Sequence, residues 1–147
     1  MIRHVYTSLS LGPLNPSALS DILNTARRNN ARDGLTGMLI YHNDRFLQVL
    51  EGPDAAVEDC LRRIEVDERH RRMRPLLSEQ VTERLFTRWR MGFCDIKELS
   101  PEARESVFAL TRLVEVSANG AVPDARLDAI LRSFLLSVGA TKLVPPA

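Results

Sequence analysis

The sequence predicts an α+β fold, a mixed sheet with two crossover helices on one face. Three observations predict it. Five short runs mix apolar and polar residues in the way of half-buried or buried strands. Two longer runs between them repeat apolar residues at helical spacing and open on Asn-Pro and Gly-Pro-Asp, both good helix starts. The order of the runs is β-α-β-β-α-β-β, which puts both helices on the same side of the sheet.

Ile2 to Ser8 alternates as the first strand, with Ile2, His4, Tyr6 and Ser8 on one face and Arg3, Val5 and Thr7 on the other. Gly12-Pro13 breaks it. Asn15 caps the first helix, and Pro16 takes the first helical position, where no backbone donor is needed. Leu19, Ile22, Leu23 and Ala26 are its apolar stripe, and the Asp33-Gly34 turn places its end near Asn29-Asn30. Leu35 to Tyr41 and Arg45 to Glu51 are the second and third strands, joined by a hairpin at His42-Asn43-Asp44. Gly52-Pro53-Asp54 opens the second helix, with Val57, Leu61 and Ile64 inward. Leu76 to Thr82 is a fourth strand, set at an edge because Pro75 cannot donate at its start. Trp89, Met91 and Phe93 alternate as a fifth. This order is that of ferredoxin-like folds.

The pattern changes after Asp95, so residues 1–96 are expected to form one domain and 97–147 a helical extension. Ser100-Pro101-Glu102 opens a helix carrying Val107, Leu110 and Val114, which Asn119-Gly120 ends. Pro123-Asp124 opens another, carrying Leu127, Ile130, Leu131, Phe134 and Val138. Two amphipathic helices after a finished sheet form a cap over its bare face or a dimer surface. The cap is the expected role, because an uncovered apolar sheet face is not soluble alone.

Composition bounds the function. The 147 residues are 44% hydrophobic and 27% charged, enough for a real core in a soluble globule. Net charge is +1, so bulk charge gives no case for nucleic acid or a membrane surface. Arg69 to Arg74 is dense in arginine, but Glu65, Asp67 and Glu68 precede it, and the stretch reads as a solvated loop. Cys60 and Cys94 are too far apart for a metal or redox pair, which suggests a reducing, cytoplasmic setting. The N-terminus shows no signal peptide, and no run reaches the roughly 20 apolar residues of a membrane span. His4, His42 and His70 are scattered, so no metal site is expected. There is no G-x-S-x-G, no Cys/His nucleophile pair and no phosphate-binding glycine loop around Gly34 and Gly37.

What remains is Gln48, an amide within Phe46-Leu47-Gln48-Val49-Leu50. A buried amide is costly unless its donor and acceptor ends are matched. A backbone group at a sheet edge or a bound ligand with a polar edge would match them. The two helices leave a slot between them over the sheet. Asn29 and Asn30 stand at the end of the first helix, while Arg63 and Asp67 lie four apart on the second, with Ile64 beside them. Singly, these read as a helix cap and a surface ion pair of little worth. Together they suit a flat heterocycle with an imide-like edge, apolar above and below and polar at one rim, as in a flavin.

The chain resembles BLUF domains, sensors of blue light using FAD. The match runs from Ile2 to Asp95 through Tyr6 and Ser8, Arg28-Asn29-Asn30-Ala31-Arg32, Leu35-Thr36-Gly37 and Phe46 to Gly52. It continues through Ile64, Asp67-Glu68-Arg69-His70 and Trp89-Arg90-Met91-Gly92-Phe93. The last two helices resemble the helical tail of short, stand-alone members. By position, the resemblance implies that Tyr6 is the photoactive tyrosine and Gln48 the glutamine between it and the ring. Asn30 would bond the polar edge of the ring, with Asn29 beside it and Arg63 and Asp67 completing the rim. Ile22 and Ile64 would sandwich the ring, and Phe46 and His70 belong to the cofactor-binding set. Ser8, Trp89 and Met91 fall at signalling positions near Gln48. The implied cofactor is FAD, with FMN and riboflavin as alternatives.

The function that follows is a non-enzymatic blue-light receptor. It signals by light-driven rearrangement of Tyr-Gln-flavin hydrogen bonds to a partner protein, and a homo-oligomer is expected. An acylphosphatase-like enzyme of the same fold is the alternative. It needs a glycine-rich loop with an arginine after the first strand, and Ser10-Leu11-Gly12-Pro13-Leu14 supplies neither. A flavin-free interaction module is the third reading, against which Tyr6, Gln48 and Asn30 argue.

Overall fold

A computed structural model describes residues 1–87, 90–95, 129, 130 and 133. The elements are β1 (Ile2–Ser10), α1 (Pro16–Asp33), β2 (Thr36–His42), β3 (Arg45–Gly52), α2 (Asp54–Glu65), β4 (His70–Gln80) and β5 (Gly92–Asp95). The sheet order is β4-β1-β3-β2-β5. β1 runs antiparallel to both β3 and β4, β2 runs antiparallel to β3, and β5 runs parallel to β2. This is the expected ferredoxin-like arrangement, with β5 added beside β2. Among the described residues, no helix is long and apolar enough to cross a membrane.

Several boundaries move. β1 runs two residues past Ser8, and its Ser10 N–H bonds the Asp44 carbonyl at 2.8 Å. α1 begins as expected: Asn15 Oδ1 accepts from the Ala18 N–H at 2.8 Å with Pro16 behind it. It ends one turn later than Asn29-Asn30, at Asp33. Gly34 is the cap, with φ of 71°, a left-handed value that suits glycine. Asn43 and Asp44 both take positive φ, which the tight hairpin between β2 and β3 requires.

The largest correction concerns β4. It starts at His70 instead of Leu76, so the arginine-dense stretch beyond Arg69 is strand and not loop, and Pro75 lies within it. The edge position explains the tolerance: among the described strands β4 pairs only with β1, and the pairing is irregular between Val5 and Tyr6, facing Pro75. For the fifth strand, Met91 immediately precedes β5 and Trp89 lies outside the described residues.

Alternation divides the core into two layers. Tyr6, Leu35, Leu39 and Leu50 face Leu19 and Leu23 of α1 and Val57 of α2. Val5, Met38, Ile40, Leu47 and Val49 occupy the opposite sheet face and are equally buried. β2 is buried at every position. The predicted C-terminal helices lie almost wholly outside the described residues. Ala129, Ile130 and Ser133 are described as helical, and they line a cavity with Thr7, Leu9 and Arg45 of that second face.

Candidate functional site

Three elements build one cleft, about 760 Å³ with its open mouth included. α1 contributes Ile22, Thr25, Ala26, Asn29 and Asn30, which share one helical stripe. The sheet contributes Tyr6, Ser8, Leu39, Phe46 and Gln48. Register aligns them: Tyr6 on β1 and Leu39 on β2 both pair with Gln48 on β3, so the three form a row across the floor. α2 contributes Cys60, Arg63 and Ile64, the turn after it Asp67 and Arg69, and the first residue of β4 His70.

The floor is a buried polar pair. The Tyr6 hydroxyl donates to Gln48 Oε1, and both residues are at most 6% exposed. Burial, and next the nearby Cys60 and Asp67, raise the Tyr6 pKa above its ordinary value, so the phenol keeps its proton and donates. The other end of the amide is poorly served. Gln48 Nε2 faces the thioether of Met91 at 3.7 Å, and sulfur is a weak acceptor.

Asn30 is 1% exposed and fixed at both ends. Its carbonyl accepts from Leu35 at 2.9 Å and from the Gly34 cap, while its side-chain Nδ2 donates to the Arg90 carbonyl at 2.5 Å. Arg27 adds a bond from Nε to the Met91 carbonyl at 3.0 Å. α1 therefore holds the residues that lead into β5.

The mouth carries two ion pairs, and neither is the one expected. Arg63 and Asp67 do not pair, because α2 ends at Glu65 and Asp67 sits in the following turn. Arg63 instead reaches Asp33 of α1 at 2.5 Å, and Asp67 holds Arg69 at 2.5 Å. The Arg32 and Arg63 guanidiniums hold the Asp33 carboxyl well below its usual range, at about 2. Hydrogen bonds from Arg69 likewise lower Asp67. His70 Nε2 lies 2.6 Å from the Ile64 carbonyl and so carries the proton. His70 Nδ1 is buried and has no partner among the described residues.

The cleft gathers Tyr6, Ser8, Ile22, Asn29, Asn30, Phe46, Gln48, Ile64 and His70 together with Arg63 and Asp67. Met91 touches Gln48 from the end of the floor. Reading the sequence missed Thr25, Ala26, Leu39, Cys60 and Arg69 as site residues. Thr25 sits one turn from Ile22 and Asn29, and Cys60 one turn from Ile64, so helical period could have found them. Leu39 needed the strand register, and Arg69, in the turn before β4, was read as part of a solvated loop.

The donor set fits a flavin ring. Ile22, Ile64, Leu39 and Phe46 give apolar walls, amides stand at one rim, and Gln48 Nε2 and His70 Nδ1 are left with unmet hydrogen-bonding capacity. Comparison with known proteins agrees. A family model described as "Sensors of blue-light using FAD" matches residues 1–92. The chain belongs to the BLUF family. BLUF domains bind flavin and sense blue light, and the acylphosphatase alternative falls away. The chain is 37% identical over 81 residues, 55% of its length, to photoactivated adenylate cyclase subunit beta of Euglena gracilis, and spans 9% of that subunit. It is 30% identical over 79 residues, 54% of its length, to the blue light- and temperature-regulated antirepressor BluF of Escherichia coli (strain K12), spanning 20% of it. Among solved structures, the dark state of the BLUF protein BlrB superposes with a TM-score of 0.66 at 28% identity, covering 92% of this chain and 96% of that one. The photo-activated state of BlsA gives 0.67 at 28% identity, covering 92% and 94%.

Proposed function

We propose that this BLUF domain reads light through the Tyr6–Gln48 pair and passes the change to a partner protein by way of Met91 and the strand that follows it. Bound flavin supplies the absorption of blue light and the photo-oxidant. Tyr6 holds the only phenol in the cleft, and its proton already lies on a bond to Gln48. Gln48 has one acceptor and one donor end, so rotation or tautomerisation of its amide changes partners without breaking the chain. Each exchanged bond is worth on the order of 1 kcal/mol net, which allows two states of similar energy. Asn30 and Asn29 serve the ring's polar edge, Ile22 and Ile64 its faces, and Phe46 and His70 its flanks. Arg63 and Asp67 stand at the mouth, each already engaged with a neighbouring residue.

The observation that carries this reading is the unequal satisfaction of Gln48: a phenol on its oxygen, only a thioether on its nitrogen. FAD is the cofactor. The output partner is a separate protein or a fused effector, the domain itself is not catalytic, and its setting is cytoplasmic. Residues 1–96 make up the sensor and 97–147 its extension. Ser8 and Trp89 complete the signalling set, and the assembly is a homo-oligomer.

The test is a pair of variants in the flavin-loaded protein. Tyr6→Phe keeps the ring and removes the hydroxyl, and Gln48→Leu keeps approximate volume and removes the amide. Both should retain flavin and lose the small reversible red shift that blue light gives the parent. A parent-like shift in either variant would sink the relay.

A further inference from the structure

The residues leading from β4 to Met91 are held from the face of the sheet opposite the cleft. Glu51 lies three residues after Gln48 on β3, and alternation points it the other way. It is fully buried, and it does not line the cleft. Its carboxylate accepts from Arg3 Nε at 2.8 Å, from the Leu85 N–H at 3.0 and 3.1 Å, and from the Phe86 N–H at 3.1 Å. A buried charge persists only where its lone pairs are met in this way. Arg84, immediately before Leu85 and Phe86, donates to the carbonyls of Gly34 at 2.7 Å and Glu51 at 3.1 Å, and to Thr36 Oγ1 at 2.9 Å.

Four residues beyond Phe86 comes the second hold, where Asn30 and Arg27 bond the Arg90 and Met91 carbonyls. The connection is therefore pinned on both sides of Trp89. One pin belongs to the strand that carries Gln48. The other belongs to the helix that lines the cleft.

We infer that Glu51 is a positioning residue for the light response: its carboxylate fixes the connection that delivers Met91 to Gln48. The inference rests on the relay reading of Gln48. A glutamine at this position can accept at one oxygen only, and its amide nitrogen faces donors. Leu85 and Phe86 then lose their shared anchor, and Met91 loses its fixed distance from Gln48. The energy difference between the two Gln48 arrangements shifts with it, although no atom of the cleft has changed.

Glu51→Gln in the full, FAD-loaded chain tests this. Flavin content and the size of the red shift should match the parent, because Tyr6, Gln48 and Asn30 are intact. The rate of dark recovery should change about threefold or more in either direction. The light-induced change in fluorescence of Trp89, the only tryptophan, should shrink. Should Glu51→Gln fail to fold, Arg84→Met releases the same connection by removing the bonds to Thr36, Glu51 and Gly34 and must show the same kinetics. A purely structural role would lower the melting temperature and leave recovery unmoved. Recovery changed by less than about threefold in a folded variant overturns the inference, while the parent's own red shift leaves the relay reading standing. A parent without any shift overturns both.

Discussion

Asn30→Ala should damage the protein in two separable ways. Asn30 is 1% exposed, and its Nδ2 reaches the Arg90 carbonyl at 2.5 Å. Truncation leaves that carbonyl without its donor, a cost of about 1–3 kcal/mol. At roughly 4 °C per kcal/mol for a chain of this size, the flavin-free melting temperature should fall by roughly 4–12 °C. If Asn30 also holds the ring, a tenfold loss of flavin affinity subtracts about 1.4 kcal/mol more when FAD is in excess. The drop should therefore be larger with FAD than without it. Asn30→Asp keeps the volume but replaces the Nδ2 donor with a carboxylate oxygen facing the Arg90 carbonyl; it should be destabilised at least as much as the alanine variant. The assay is thermal unfolding of all three proteins, flavin-free and with saturating FAD, alongside flavin content after purification. A flavin-free melting temperature equal to the parent's would refute the argument from the Arg90 bond. An identical drop with and without FAD would refute the role at the rim.

Gly37→Ala should destabilise the fold by about 2–3 kcal/mol, measured by denaturant titration, because its new Cβ would land on the Val49 carbonyl of β3, a backbone group that cannot step aside. A parent-like midpoint would show that β2 and β3 can separate there. The Arg63–Asp33 pair should be insensitive to pH through the ordinary carboxylate range. Asp33 has a depressed pKa, so its stabilisation is complete above the unfolded value near 3.8 and disappears as pH falls through about 2. The melting temperatures of the parent and Asp33→Asn should differ at neutral pH and converge only at that acid limit; convergence at pH 4 or above would contradict the pairing.

The cleft floor was legible because strand alternation is strict. Tyr6 and Gln48 each fall on the helix-facing side of their strands, and a glutamine among large apolar residues announces an unmet amide. The two helices were legible from their caps and stripes. What misled was local. Asp33-Gly34 looked like a turn well after the helix, when Gly34 is the cap itself and Asn29-Asn30 lie a full turn inside. Pro75 correctly set the fourth strand at an edge but was taken as its limit, and the arginines before it read as a solvated loop, yet an edge strand accepts a proline within it and an irregular register. Arg63 and Asp67 have the spacing of a helical pair, but α2 stops between them, and the real partner of Arg63 is on the other helix. Glu51 gave no sign of its role, since its partners Leu85 and Phe86 are remote in sequence and meet it through backbone N–H groups, which carry no residue signature.

The central claim is that the Gln48 amide changes its bonding when light is absorbed. Infrared light-minus-dark difference spectra with isotope-labelled glutamine side chains test it most directly. The chain has two glutamines, and Gln80 is bonded to Asp54 at the end of β4, away from the cleft. A label-sensitive carboxamide band should appear in the parent and be missing in Gln48→Leu. A red-shifting parent whose difference spectrum shows no label-sensitive band, or a Gln48→Leu variant that keeps one, would contradict the account.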